Sequence, residues 1–410
     1  MDLLSRAGGL MFENGETTQR TKESIEGLAR AMGVDATVTL HWDELRIEIP
    51  KLDSVAASVT LSSPTGVHIG KVAAVTGLIT AVRRGRLAAD RDGLGAELSA
   101  IERMPPASTP RFASMAAAGA VALGVIFDGN DLPSLGLIAL SAGVGALLRR
   151  WSGRVSANPF VQPGCAALLA GVIGAVASRL HLVTLPLLVM VCPCMVLVPG
   201  PHILNGSLDL ARARMVLGAA RLAFASMIVL VICMGLLAGL ALGGASLPPA
   251  GASRPAPFVL DVLAAGVAVA AYGTFFSMAW RVLPVPVAIG MFAHALRWGA
   301  IALGGASPQA GALLASLIVG VIVTPVANRL DLPFAGLGFA SVVSLMPGVY
   351  LFHMAGVLVE AISFGARAPE ALWSGAAYDG SVAFMITLAI ATGLILPKML
   401  IERFFWKGAS

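Results

Sequence analysis

Hydrophobic and polar positions fall into two regimes along the chain. Over the first hundred residues they mix at short periods. Leu3, Leu4, Ala7, Leu10 and Met11 keep helical spacing, and so do Ile25, Leu28, Ala29 and Met32 after Glu13-Asn14-Gly15. Residues 38–41, 46–49 and 57–61 read as short strands, with Asp43-Glu44 as a turn, and amphipathic helices follow at roughly 71–83 and 87–103. These elements predict a small α+β domain over residues 1–104. Residues 105–110, Pro-Pro-Ala-Ser-Thr-Pro, form a linker stiffened by its prolines. From Arg111 onward the pattern becomes apolar runs near the roughly 20 residues that a bilayer requires. Ten spans are expected, at about 112–127, 133–148, 161–179, 183–200, 215–242, 258–276, 285–304, 309–327, 333–351 and 380–397.

Two of these runs carry the same punctuation. Leu197-Val198-Pro199-Gly200-Pro201 returns as Leu345-Met346-Pro347-Gly348-Val349. Leu185-Pro186 precedes the first Pro-Gly by thirteen residues, and Leu332-Pro333 precedes the second by fourteen. Upstream again, Arg179-Leu180-His181-Leu182 is echoed by Arg329-Leu330-Asp331-Leu332. One membrane unit therefore occurs twice. In each copy proline removes a backbone donor and glycine removes side-chain cover, so the helix is interrupted. In hydrocarbon a freed carbonyl is tolerated only when buried in protein or facing a watery cavity. Two breaks in corresponding positions are a pointer to a transporter's substrate site. Gly200 and Gly348 are thus expected to tolerate no bulk, whereas Gly239 and Gly320, in uninterrupted spans, should be milder sites unless helix packing there is tight.

Composition settles the class. With 57% hydrophobic and 12% charged residues in 410, and a mean hydropathy of +0.83, the chain is no soluble globule. Residues 1–110 hold 12 Lys/Arg and 14 Asp/Glu, leaving 16 and 9 for the other 300. The net charge of +5 therefore reflects loop arginines and not a nucleic-acid surface. Residues 1–15 lack a continuous apolar core and carry Arg6 and Glu13, so they do not read as a signal peptide. All four cysteines fall in apolar runs, against a disulfide framework.

If residues 1–110 lie inside, the inner loops carry Arg149, Arg150, Arg154, Arg212, Arg214, Arg281, Arg329, Lys398, Arg403 and Lys407. The outer loops carry only Arg179, Arg254 and Arg367, in keeping with the positive-inside rule. Both termini are then cytoplasmic. On that parity the first Pro-Gly ends span four near the inner face, and the second ends span nine near the outer face. Residues 111–243 and 258–398 become two five-helix inverted repeats, joined by an outer loop at 244–257 and followed by a cytosolic tail at 399–410. Such an arrangement supports alternating access.

At this point the chain resembles a known family. Gly15-Glu16-Thr17-Thr18-Gln19-Arg20, the helix running to Leu28-Ala29-Arg30-Ala31-Met32-Gly33, and Val82-Arg83-Arg84-Gly85-Arg86-Leu87 resemble the opening of the threonine/serine exporters. Pro199-Gly200, with Ile203-Leu204-Asn205-Gly206 and Asp209-Leu210, resembles their mid-membrane signature, and Pro347-Gly348 its partner. The resemblance covers nearly the whole chain, and the order of the motifs carries it. It implies export of small amino acids driven by the proton-motive force; some relatives, split into two chains, export dicarboxylates. Cys192-Pro193-Cys194 and His202 fall outside the family pattern.

Ionisable groups inside spans are the remaining signal, because a charge at mid-bilayer costs about 2.5–3.5 kcal/mol on insertion scales. Arg297 lies in span seven with His294 one turn earlier, and Arg221 lies two turns into span five. Asn205 and Asp209 follow the first Pro-Gly, His353 and Glu360 follow the second, and Asp379 opens span ten. A substrate carboxylate needs a cation, for which Arg297 or Arg221 is suited, and an ammonium needs a carboxylate such as Asp209 or Glu360. These two acids are also the expected proton carriers. The bland alternatives are that Arg221 snorkels to the interface and that Asp379 caps a helix. Together with Pro199, Gly200, Pro347 and Gly348, these residues form the expected transport pathway.

Other chemistries fit less well. Cys192-Pro193-Cys194 could offer soft thiolates to a metal, but it lacks the phosphorylation loop of a metal-pumping ATPase and reads first as two small residues flanking a kink. Residues 66–72 superficially suggest a phosphate loop, yet the spacing is one short and Val72 replaces the magnesium-binding hydroxyl. His41, Asp43, Ser62, Ser63 and His68 show no hydrolase spacing. The expectation is a non-enzymatic secondary exporter of small amino acids in a bacterial inner membrane. Its partners would be substrate, protons and lipid, without cofactor; a homo-oligomer is compatible with it. The competing readings are a dicarboxylate exporter and a membrane-anchored enzyme or sensor working through residues 1–110.

Overall fold

The computed structural model describes residues 1–51, 54–88, 91–248 and 256–405. Arg254 and Lys407, counted above among the loop charges, lie outside these residues, as does half of the expected outer loop.

The N-terminal domain follows the predicted order of elements, but the turn expected at Asp43-Glu44 falls at Trp42-Asp43, since Glu44 already pairs as a strand residue. Helices α1 (Asp2–Glu13) and α2 (Thr18–Ala31) precede strands β1 (Thr37–Leu40), β2 (Glu44–Lys51) and β3 (Ser54–Leu61), then α3 (Ile69–Arg83) and α4 (Arg91–Glu102). The sheet order is β1-β2-β3, all antiparallel, with Glu44 opposite Leu61. Leu45 and Ile47 of β2 point into a core with Leu4, Met11 and Ile25. The fourth helix starts at Arg91 rather than 87 because Gly85, at φ +66°, closes α3, where the Arg86 amide donates to the Ala81 carbonyl.

Among the described residues twelve α-helices follow, namely α5 (Thr109–Ile126), α6 (Leu132–Val155), α7 (Val161–Arg179), α8 (Pro186–Met195), α9 (Gly200–Ala211), α10 (Met215–Leu242), α11 (Phe258–Phe275), α12 (Pro284–Ala302), α13 (Pro308–Arg329), α14 (Phe334–Val342), α15 (Gly348–Phe364) and α16 (Glu370–Phe405). Eight of them are long and apolar enough to cross a membrane. The other four form two bent pairs, α8–α9 at 59° and α14–α15 at 67°. The chain is therefore a polytopic membrane protein.

The breaks fall at the repeated Pro-Gly motifs, with one difference from expectation. Neither motif ends its run. Helix resumes at Gly200 for 12 residues and at Gly348 for 17. Pro201 is compatible with this because the first helical turn needs no donor from it. Likewise α16 begins at Glu370, ten residues before the expected span, so Asp379 lies inside a helix and the capping alternative is excluded.

The upstream echo has a shared geometry. His181 and Asp331 both take left-handed backbone, at φ 50° and 54°. After them the Leu182 amide donates to the Ala177 carbonyl at 3.0 Å, and the Leu332 amide to the Ala327 carbonyl at 2.9 Å. Packing repeats as well. Helix α7 lies along α10 as α13 lies along α16, and α5–α6 pair as α11–α12 do. Glycines bring the long pairs close. A Cβ on Gly239 would meet the Leu168 carbonyl oxygen at 2.1 Å, and one on Gly320 would meet that of Gly393 at 2.7 Å. Gly239 and Gly320 are thus intolerant positions. Helices α5 and α11 pack on each other and join the halves, while α8 touches α15 and α9 touches α14 crosswise.

The N-terminal domain packs on the end where α5 begins and α6 finishes. There the Ile69 amide donates to the Phe276 carbonyl at 2.9 Å, and the Ala107 amide to Ser277 Oγ at 3.2 Å. His68 caps α3 by accepting from the Lys71 amide, which gives it a structural task.

Candidate functional site

The breaks meet each other at the centre of the helical part. Pro199 and Pro201 have no N–H, so the carbonyls four residues earlier, Met195 and Leu197, lose their helical partners. The Tyr272 hydroxyl donates to the Met195 carbonyl and replaces one of them. No hydrogen bond reaches the Leu197 carbonyl among the described residues. In the second copy, the carbonyl of Val343 is taken by the Met346 amide at 3.2 Å. Gly200 lies under the Phe339 ring, where a Cβ would be 1.6 Å from Cζ, and Gly348 lies against Met195, where a Cβ would be 2.5 Å from Cγ. Each break therefore packs on the leading half-helix of the other.

On the near side, beside the N-terminal domain, Asn205, Asp209 and Arg221 come together. Arg221 Nε is 3.3 Å from Asp209 Oδ2 and Arg214 Nη1 is 3.4 Å from Asp209 Oδ1. Thr18 donates its hydroxyl to Asp209 Oδ2 at 2.8 Å, and Asn205 Nδ2 donates to the Gly15 carbonyl at 3.0 Å. Gln19 accepts from Arg214, and Arg20 donates to the Leu332 carbonyl at 2.5 Å. The Gly15–Arg20 stretch is thus a plug that seats the N-terminal domain on the α9–α10 corner and on the start of α14. Arg221 is fully buried and does not snorkel. Glu16 is buried beside it, and burial pushes its carboxyl above the usual carboxylate range.

A second ionisable group lies on the far side. Asp261, in the first turn of α11, sits about 22 Å along that helix from its docked end at Phe276. Its Oδ2 is 2.5 Å from His294 Nδ1, and His294 Nε2 is 3.5 Å from the Ser344 carbonyl. Arg297 follows one turn later, with its Nε buried and unbonded. A second pair, His353 Nδ1 and Asp379 Oδ2, is also 2.5 Å apart. Glu360 is exposed on α15 and joins neither group. Cys192 and Cys194 are fully buried in α8, and no cluster of three or more metal-ligating side chains occurs among the described residues.

A cavity of about 500 Å³ opens on the near side of the first break. Leu197, Val198, Pro199 and His202 form one wall, and Arg149, Arg150 and Arg154 another. Thr65–His68 of the N-terminal domain stand at its rim. Arg149, Leu197 and Phe275 also line a narrow inner extension that runs beside Pro193.

Comparison with known proteins agrees with this architecture. Residues 2–243 match the family described as "Putative threonine/serine exporter", and residues 261–400 match "Threonine/Serine exporter, ThrE". The chain belongs to the threonine/serine exporter family. No curated protein and no solved structure matches it. The first family match closes at the end of α10 and the second opens within α11, so the two matches divide the helices where the packing pattern begins again.

Two residues of these groups escaped the sequence reading. Asp261 is a lone acid in an apolar window, a signal equal to that of Arg297, but its place in a first helical turn disguises it as a dipole partner. Arg149 was counted as a loop charge because the apolar run ends at residue 148, whereas α6 continues to Val155.

Proposed function

We propose that this family member exports small amino acids by secondary active transport. Two five-segment halves act as inverted repeats around the crossed breaks, in a bacterial cytoplasmic membrane with residues 1–104 and the tail inside. The observation that carries the reading is the reciprocal packing of Gly200 on Phe339 and Gly348 on Met195. A rearrangement of one break must move the other, which is what alternating access between related halves requires. The shared turn at His181 and Asp331 and the matched helix pairings support the repeat.

Proton coupling is assigned to the Asp261–His294 and His353–Asp379 pairs. Each joins a carboxylate to an imidazole across different helices, so protonation alters an interhelical bond. Asp209, already engaged by Thr18, Arg214 and Arg221, serves docking instead. A dicarboxylate substrate is the second reading, favoured by the three arginines in the cavity wall. The test is counterflow in proteoliposomes with labelled threonine, serine and a panel of dicarboxylates. Exchange of threonine or serine is expected; exchange of dicarboxylates alone would overturn the substrate class. Asp261→Asn and Asp379→Asn should retain exchange but lose most uptake driven by a pH gradient. Wild-type gradient dependence in both would remove the assignment.

A further inference from the structure

The near-side cavity carries a charge that nothing among the described residues neutralises. Arg149 lines both the cavity and its inner extension, beside the first break. Its guanidinium has five donors, and a buried polar group without a partner is costly. Yet Nε and Nη1 are buried without a hydrogen bond, and no ion pair or hydrogen bond reaches the group among the described residues. What holds it is aromatic. The guanidinium carbon lies 4.4 Å from the centre of the Phe275 ring and 5.7 Å from that of Phe112. A cation over aromatic rings is attracted through the ring faces without using up its N–H donors, so Nε and Nη1 stay free to bond.

Arg150 differs. Its Nη2 donates to the Ala107 carbonyl at 2.6 Å, which ties it to the interdomain linker. The charged and titratable groups lining the cavity are Arg149, Arg150, Arg154, His68 and His202, with no carboxylate among them. Such a lining is incomplete without an anion. The unbonded Leu197 carbonyl belongs to the same junction, because Leu197 lines both the cavity and its extension.

We infer that Arg149 is the residue that receives the substrate's carboxylate on the near side, at the junction of the cavity and the first break. This rests on the exporter reading above and adds to it the group that holds the substrate. A planar guanidinium and a carboxylate form paired charge-assisted hydrogen bonds. An amino acid held there can offer its ammonium to the Leu197 carbonyl, whereas a dicarboxylate would extend its second group toward Arg150 and Arg154. The carboxylate is common to both.

The experiment uses purified full-length protein in liposomes. Counterflow is measured with labelled L-threonine and, separately, labelled succinate, with L-serine and its carboxylate-free analogue serinol as inhibitors. Arg149→Gln is expected to raise the KM for the transported substrate at least tenfold and to abolish the advantage of serine over serinol. Arg149→Lys should recover part of the affinity, and Arg281→Gln, at an exposed arginine outside the cavity lining, should stay within twofold of wild type in both arms. Should the Gln variant misfold, wild-type protein is treated with phenylglyoxal with and without substrate, and arginine modification is read by peptide mass. Arg149 should be protected by substrate. A normal KM with intact discrimination in Arg149→Gln, or no protection of Arg149, overturns the inference while leaving transport standing. A wild type that exchanges neither substrate class removes the exporter reading, and this inference with it.

Discussion

Glycine at position 200 is demanded by a neighbour and not by its own backbone. A Cβ 1.6 Å from Phe339 Cζ is far inside van der Waals contact, so even alanine must displace the ring. Overpacking of this kind costs about 1–3 kcal/mol. Gly200→Ala should therefore lower the thermal unfolding midpoint in detergent, and adding Phe339→Leu should recover most of the loss. An undiminished loss in the double variant would show that another contact decides. Gly348→Ala should cost less, since the flexible Met195 side chain, 2.5 Å away, can move aside. For transport assays the benign glycine controls are Gly136 and Gly299, where a Cβ meets nothing within 4 Å.

Among the elements, the corner between α9 and α10 holds the N-terminal domain through Asp209, Asn205 and Arg214, and the acid is the one paired with a buried cation. Asp209 pairs with the fully buried Arg221, so removing it strands a buried cation. Breaking such a pair costs about 3–5 kcal/mol. Asp209→Ala should lose stability on that scale by chemical unfolding and should release residues 1–104 to limited proteolysis. Unchanged protection would mean that α3 and the linker suffice for docking. Glu16 adds a pH dependence. Its folded carboxyl is raised by burial, so its stabilising contribution is full below the unfolded value of about 4.3 and is lost as pH rises through the folded one. Glu16→Gln should therefore gain stability relative to wild type as pH climbs toward neutral. A difference that does not change with pH would show that Glu16 does not titrate over that range.

Across the whole molecule, the proposed orientation, with residues 1–104 inside, is tested by thiol labelling. In a variant whose four native cysteines are replaced, a cysteine at Asn130 should react with an impermeant thiol reagent in intact cells. Cysteines at Glu48 or Ser156 should react only after permeabilisation. Labelling of the Ser156→Cys variant in intact cells would break the ten-span topology. A large apolar groove is lined by residues of α9, α10, α15 and α16.

Periodicity and composition determined much of this protein. The apolar run at 215–242 became α10 with the same ends, and the period-two stretches became the three strands. The repeated Pro-Gly motif located both bends, because a missing N–H is written in the residue itself. Where a run ends was less legible. Helices α6, α9 and α16 extend past their apolar windows because polar residues such as Arg149 and Asp209 find partners or rings there. Which charges meet was decided by tertiary structure alone. Asp209 and Arg221 read as separate pathway residues, yet they close on each other and on Thr18, 191 residues away from Asp209 in the chain. Asp261 and His294 lie 33 residues apart on different helices, and only the packing of α11 on α12 aligns them. A linear pattern records the cost of burying each charge; the partner that offsets this cost is fixed by helix packing, which no local period encodes.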